Sequence, residues 1–191
     1  MNQPTSLYLA PRDANCAPPR ETVIQALADL EIIGEPLDTE RYAAGAGFTR
    51  HVVFAGCSPH LIMQPPADGS LRFCHVAVHG PYAAPRLVTG PNTVKPRCPH
   101  CRARFDDWRQ RLAAWQGGHE RARCAACGSE SLPTALDWRD HAVAGRLLVE
   151  LRNVFPGEAT PSDRLMHELA QCTATAWRYA WAAYTDSVRA D

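Results

Sequence analysis

Four cysteines carry the strongest chemical signal in this 191-residue chain. They form two Cys-x-x-Cys pairs, Cys98/Cys101 and Cys124/Cys127, with residues 102–123 between them. Each pair presents two thiolates from one tight turn, and two such turns facing each other complete a tetrahedral four-sulfur shell of the kind Zn²⁺ prefers. One pair alone would serve redox chemistry equally well. With two pairs, a structural zinc site is the expectation, and an iron centre or a redox role is the alternative. A closed four-thiolate shell leaves no position for a reacting water, so the metal's role is to fold the chain around it. Gly128 follows the second pair and helps the chain turn back. His100 lies inside the first pair and is expected at the surface, because four cysteines leave it no ligand position.

The same segment is rich in arginine. From Lys95 to Ser131 there are eight cations (Lys95, Arg97, Arg102, Arg104, Arg109, Arg111, Arg121 and Arg123) against four acids (Asp106, Asp107, Glu120 and Glu130). The segment is therefore +4, and the remainder is −4 because the whole chain sums to zero. The seven arginines form a candidate contact surface for RNA, DNA or an acidic protein. The alternative is a solvated face neutralised by salt bridges within the segment. Trp108 and Trp115 could stack on bases, but at helical spacing with Phe105 and Leu112 they suit a small core of their own.

A second set of chemistry-bearing residues comprises Cys57, His60, Cys74, His75 and His79, in "CSPH" and "FCHVAVHG". They are candidates for a second metal site or a Cys–His nucleophile pair. In an extended strand His75 and His79 share a face, about 13 Å apart by strand rise, too far to bind one metal together. Packing is the simpler reading of Cys57, Cys74, Cys16 and Cys172. Asp137, Asp140 and Glu150 form no catalytic pair and are expected at surface or edge positions. "AGAGFTR", residues 44–50, lacks the Gly-Lys-Ser/Thr ending of a nucleotide-binding loop and reads as a turn or strand bend.

The elements that must position these residues follow from periodicity. "SLYLAP" reads as a strand, and "ETVIQALADLEII" as a helix ending at Gly34 and Pro36. "RHVVFAG", "HLIMQ", "LRFCHVAVHG" and "PRLVTG" read as a strand meander broken by turn residues. "DDWRQRLAAWQ" reads as a helix between the cysteine pairs, with Asp106 and Asp107 at its positive end. "GRLLVELRNVF" reads as a strand. "PSDRLMHELAQC" reads as a helix with Ser162 as its N-cap and Leu165, Leu169 and Cys172 on one side. "TAWRYAWAAYT" permits a strand or a short helix. The fold class expected is α+β, a mostly antiparallel sheet with two or three helices and an inserted four-cysteine zinc ribbon. The body would comprise residues 1–94 and 132–191, and the insert 95–131.

Bulk composition narrows the function. The chain is 46% hydrophobic, which supports a packed core. Zero net charge argues against coating nucleic acid by bulk charge. Lys95 is the single lysine among 20 basic residues, which limits Schiff-base or phosphate-lysine chemistry. No apolar run reaches membrane-spanning length, and the N-terminal residues lack a signal-peptide pattern. A cytoplasmic setting with reduced thiols is the expectation.

The motifs "GCSPH", "FCHVAVHGPYAAPRLVTG", "CPHC…CAAC", "ALDWR" and "VFPGEA", followed by a terminal helix and "WRY", resemble a family of proteobacterial zinc-ribbon proteins of about this length. Members often carry the label sugar ABC transporter ATPase. This chain speaks against that label: it has no phosphate-binding loop with Lys-Ser/Thr, and it is shorter than a typical transporter ATPase. The resemblance implies a common fold with the zinc ribbon and no settled activity. The leading functional expectation is a non-catalytic zinc-ribbon protein that binds a protein complex or RNA, in RNA processing or gene expression. The alternatives are a small hydrolase built on the Cys57/His60/Cys74/His75/His79 region, and a purely structural subunit.

Overall fold

The computed structural model describes residues 5–54, 61–116, 120–154 and 159–183. In chain order the elements are β1 (Thr5–Pro11), α1 (Arg20–Asp29), β2 (Ile33–Pro36), β3 (Arg41–Ala44), α2 (Phe48–His51), β4 (Val52–Phe54), β5 (His75–His79) and β6 (Arg86–Val88). They continue with α3 (Trp108–Gln116), β7 (Ala122–Arg123), β8 (Glu130–Ser131), β9 (Val143–Gly145), β10 (Leu148–Val154), β11 (Ala159–Pro161), α4 (Asp163–Thr173) and β12 (Trp177–Ala183). The class is α+β, as the sequence predicts. Six strands form an antiparallel sheet in the order β12-β1-β10-β5-β3-β2, and three two-stranded pairs, β4/β11, β6/β9 and β7/β8, surround it.

Alternation along the strands gives this sheet two different faces. One carries Leu7 and Leu9 of β1, Val149 and Leu151 of β10, Val76 and Val78 of β5, and Trp177 of β12. It packs on Val23 and Leu27 of α1 and on Leu165 and Leu169 of α4. Each fully buried leucine or valine here contributes about 1.5–3 kcal/mol. The opposite face carries Ser6, Tyr8 and Ala10 of β1, Leu148, Glu150 and Arg152 of β10, and His75, Ala77 and His79 of β5.

The pair β6/β9 links that second face to the cysteine segment. Val143 and Val88 lean on Ala10, Leu148 and Ala180 of the sheet. Their neighbours Leu87 and Ala144 point the other way, into a cluster with Phe105, Trp108, Trp115 and Trp138. The molecule is thus layered as helices, six-stranded sheet, β-ribbon and cysteine segment.

Local chemistry explains the element ends. Ser162 caps α4: its Oγ accepts the Leu165 N–H at 3.2 Å. The helix stops at Ala174, which takes the left-handed conformation at φ 51°. α1 ends at Asp29, earlier than the Gly34/Pro36 boundary expected, because Glu31 turns the chain at φ 54° and Ile33 enters the sheet. The "AGAG" stretch crosses this corner at close range. Gly45 and Gly47 donate backbone N–H bonds to Ile32 and Glu31. A Cβ at Gly45 would lie 2.2 Å from the Glu31 carbonyl oxygen, and one at Gly47 2.3 Å from that of Leu30.

The meander is shorter than expected. Leu61–Gln64 of "HLIMQ" forms no strand, residue 60 of that stretch lying outside the described residues, while "TAWRYAWAAYT" supplies the edge strand β12. Among the described residues, no helix is long and apolar enough to cross a membrane.

Candidate functional site

Cys98, Cys101, Cys124 and Cys127 come together with all four Sγ atoms within 4.8 Å of one another. Cys98 and Cys127 are 3.8 Å apart, and Cys101 and Cys124 3.6 Å. A regular tetrahedron with metal–sulfur bonds of about 2.3 Å has edges of about 3.8 Å, so the cluster has the dimensions of a four-thiolate metal shell.

Two turns of the same construction hold it. In the first, the Arg102 N–H bonds the Cys98 carbonyl at 3.0 Å and the Cys98 N–H bonds the Ala103 carbonyl at 2.8 Å. In the second, Gly128 and Cys124 bond at 2.9 Å, and Cys124 and Ser129 at 2.8 Å. Arg102 and Gly128 occupy the equivalent left-handed position, at φ 66° and 74°. Glycine adopts this conformation freely, whereas arginine does so at a cost.

The surroundings favour thiolates, but not four at once. The Ser129 hydroxyl, with the backbone N–H groups of Cys101 and His100, lowers Cys98 to about 6. Ser129 also lowers Cys127. At Cys101 the largest single influence, the Ala103 N–H, lowers the value. The Cys127, Cys124 and Cys98 sulfurs together with burial outweigh it and push Cys101 up to about 12. A cation at the centre supplies the charge that lets all four ionise. The donor set and its dimensions therefore fit a metal ion. His100 is exposed, as expected.

The arginines divide into two groups. Arg102 pairs with Asp137 at 2.6 Å, and Lys95 with Asp106 at 2.6 Å. Arg111 pairs with Glu120 and lies 3.7 Å from Asp107. Arg109 bonds the Thr93 carbonyl and lies over the Trp108 ring, and Arg97 is half-buried between strand-like contacts to Arg104 and Asp137. Arg104, Arg121 and Arg123 are exposed and form no ion pair within 4 Å among the described residues. Arg121 and Arg123 flank buried Ala122, so both project outward. Trp108 and Trp115 are 2% and 3% exposed and meet Trp138 and Phe105 edge to face. They form a core, and their faces are closed to bases.

The second predicted set does not gather as a unit. Cys57 and His60 lie outside the described residues. Cys74 packs in the apolar core against the helices, where burial pushes its thiol up to about 11. His75 and His79 lie on the opposite face of the sheet. Cys172, expected to pack, is exposed beside the open groove between α1 and α4.

Glu150 corrects the sequence reading outright. Expected at a surface or edge, it lies in a central strand with no solvent exposure. Its Oε1 accepts the hydroxyls of Ser6 at 2.6 Å and Tyr8 at 2.8 Å. Its Oε2 accepts His79 Nε2 at 2.7 Å and pairs with Arg152 Nε at 2.9 Å. Burial raises its pKa, but His79, Arg152 and Ser6 outweigh burial and hold it at about 2. Burial also pushes the Tyr8 hydroxyl upward. His75 donates Nδ1–H to the Phe73 carbonyl at 2.8 Å, which leaves its buried Nε2 a lone pair without a partner among the described residues.

The signal for this cluster was present in three strands. Ser6-x-Tyr8, His75-x-Ala77-x-His79 and Glu150-x-Arg152 each place polar residues on one period-2 face. No family model, curated protein or solved structure matches the chain.

Proposed function

We propose that the chain binds RNA through a zinc-held basic module, with a place in RNA processing or gene expression. The single observation that carries this is the exposed set Arg104, Arg121 and Arg123, which form no ion pair within 4 Å among the described residues, in a segment where Lys95, Arg102 and Arg111 are paired with acids. An arginine fork left free in this way suits phosphate. Zinc is the ion we assign to the four thiolates: the shell is closed, all-sulfur and tetrahedral in dimension. The metal centre does no chemistry itself and fixes the turns that carry the arginines. The kinship with the proteobacterial zinc-ribbon family and a reducing, cytoplasmic setting belong to the same proposal.

With Trp108 and Trp115 buried, recognition rests on phosphate contacts, so binding is tolerant of sequence and steeply salt-dependent. The test is fluorescence anisotropy of a labelled single-stranded RNA titrated with metal-bound protein at several salt concentrations. Each of Arg104→Gln, Arg121→Gln and Arg123→Gln should weaken binding at all sequences and reduce the log–log salt slope by about 0.7. Salt-independent binding, or full binding by the triple variant, contradicts the proposal. Failure to bind RNA with co-purification of an acidic protein favours the protein-complex reading.

A further inference from the structure

The first cysteine turn stands beside a short ladder that sets two cations face to face. Arg97 is bridged on one side by Arg104 and on the other by Asp137. Residues directly opposite each other in an antiparallel ladder project to the same face. Burial follows that alternation: Pro96, Cys98, Phe105, Leu136 and Trp138 are buried behind the ladder, and Arg104 is exposed in front of it.

The Arg97/Arg104 pair is of the close kind. The backbone bonds fall on either side of it, from the Cys98 N–H to the Ala103 carbonyl and from the Phe105 N–H to the Pro96 carbonyl. In such a non-hydrogen-bonded pair the Cα atoms are about 4.5 Å apart and the side chains are at their nearest. Like charges directly opposite destabilise a ladder. The carboxylate in the row is already occupied. Asp137 Oδ2 takes the Arg102 guanidinium at 2.6 Å, and Oδ1 takes the Arg139 backbone N–H at 3.1 Å. Asp106, two residues beyond Arg104, is held by Lys95 at 2.6 Å.

Arg97 is also incompletely bonded. Its Nε is closed off from water and has no hydrogen-bond partner among the described residues, and its guanidinium makes no ion pair within 4 Å there. A buried donor without an acceptor costs stability, and a like charge opposite adds to that cost. Buried Trp138 separates Arg139 from Asp137, so Arg139 leaves the chain on the exposed side, at φ 53°. It brings a third guanidinium that forms no ion pair within 4 Å among the described residues. Three cations with free forks around a filled carboxylate call for an anion rich in acceptor oxygens, and phosphate is one that arginine forks fit.

We propose that Arg97, Arg104 and Arg139 form a phosphate-anchoring site that holds one backbone phosphate of the bound RNA over this ladder. The inference rests on the RNA-binding reading above and moves its centre to the first cysteine turn. Arg139 lies beyond the cysteine segment, so the bound strand crosses from the module onto the body. The free protein carries the repulsion between Arg97 and Arg104, and the phosphate relieves it.

The test uses the full, metal-bound chain with two probes, a labelled single-stranded RNA oligonucleotide and inorganic phosphate. Arg97→Gln should weaken RNA binding by about 10-fold or more, a larger loss than that of Arg121→Gln, and reduce the log–log salt slope by about 0.7. Arg139→Gln should also weaken binding, whereas Arg164→Gln, at an exposed position on α4 across the sheet, should not. Stability supplies the readout that a structural arginine would not give. Without phosphate, Arg97→Gln and Arg104→Gln should each unfold at or above the wild-type temperature, because each removes a like-charge contact. Phosphate added at constant ionic strength should raise the wild-type Tm and leave that of Arg97→Gln unchanged. RNA binding that is equal in wild type and Arg97→Gln overturns this inference and leaves the RNA-binding reading intact. Lower stability of Arg97→Gln and Arg104→Gln together with weaker binding marks structural arginines and also overturns it. Stabilisation by phosphate that depends on Arg97, with no binding of RNA, keeps the phosphate site but overturns RNA as its source, along with the RNA-binding reading. No response to either probe overturns both.

Discussion

Replacing Glu150 with glutamine probes the least expected feature of the fold. The substitution keeps the shape and removes the charge. One side-chain oxygen becomes an NH₂ group: at Oε2 it opposes the His79 Nε2–H and the Arg152 guanidinium, at Oε1 the Ser6 and Tyr8 hydroxyls must turn to accept from it, and either way Arg152 loses its counter-charge. Breaking a buried ion pair from one side costs about 3–5 kcal/mol. A second route gives a similar figure. The carboxyl drops from 4.5 to about 2 on folding, and at about 1.4 kcal/mol per pKa unit this is worth about 3 kcal/mol. The folded value lies below the unfolded one. The contribution is therefore fully present above pH 4.5 and is lost as pH falls toward 2. In urea at pH 7, with a slope of about 2 kcal/mol per molar, the variant's midpoint should fall by about 2 M. The gap between wild type and variant should close between pH 4.5 and 2. A variant within about 1 kcal/mol of wild type at pH 7, or a gap independent of pH, would refute the argument that the Glu150 charge stabilises this sheet.

Three further perturbations test other joints of the structure. Cys101→Ser should abolish stoichiometric metal binding and collapse the near-ultraviolet circular dichroism of Trp108, Trp115 and Trp138, whose packing depends on the cysteine turns. An unchanged spectrum would show that the module folds without its fourth sulfur. Trp138→Ala removes a side chain that is 1% exposed and donates Nε1–H to the Pro133 carbonyl at 2.8 Å. A loss of about 3–5 kcal/mol is expected by denaturation. Ser162→Ala deletes the α4 cap and should cost about 1 kcal/mol, with Ser162→Asn close to wild type.

Legibility followed the range of the interaction. The cysteine turns and the Ser162 cap could be read because the part that defines them is local: Ser162 caps the N–H of Leu165, and each Cys-x-x-Cys builds its own turn, whereas the second contact of the Ser162 hydroxyl, with His51 Nδ1 at 3.1 Å, comes from 111 residues away and was not legible. The left-handed position at Gly128 was legible from its residue type. The matching one at Arg102 was not, because arginine does not advertise φ 66°.

Glu150 was misread for the opposite reason. Its hydroxyl partners stand 144 and 142 residues away on β1, and strand alternation alone places a charged residue on whichever face meets solvent. Here the alternate face is itself enclosed. The Trp108 and Trp115 stripe predicted a small core correctly. That the core also takes in Leu87, Trp138 and Ala144 is a property of the β6/β9 ribbon, whose two-faced role emerges only from pairing. The early end of α1 reflects the same tertiary override: Ile33 is drawn into the sheet beside Ala44 before Gly34 and Pro36 are reached.

The metal-held module is the claim on which the rest depends, and metal analysis combined with X-ray absorption on carefully purified protein tests it most directly. The account predicts one zinc per chain with four sulfur neighbours at about 2.3 Å. A stoichiometry well below one, with the Cys98, Cys101, Cys124 and Cys127 thiols all reduced and freely titratable, would contradict it.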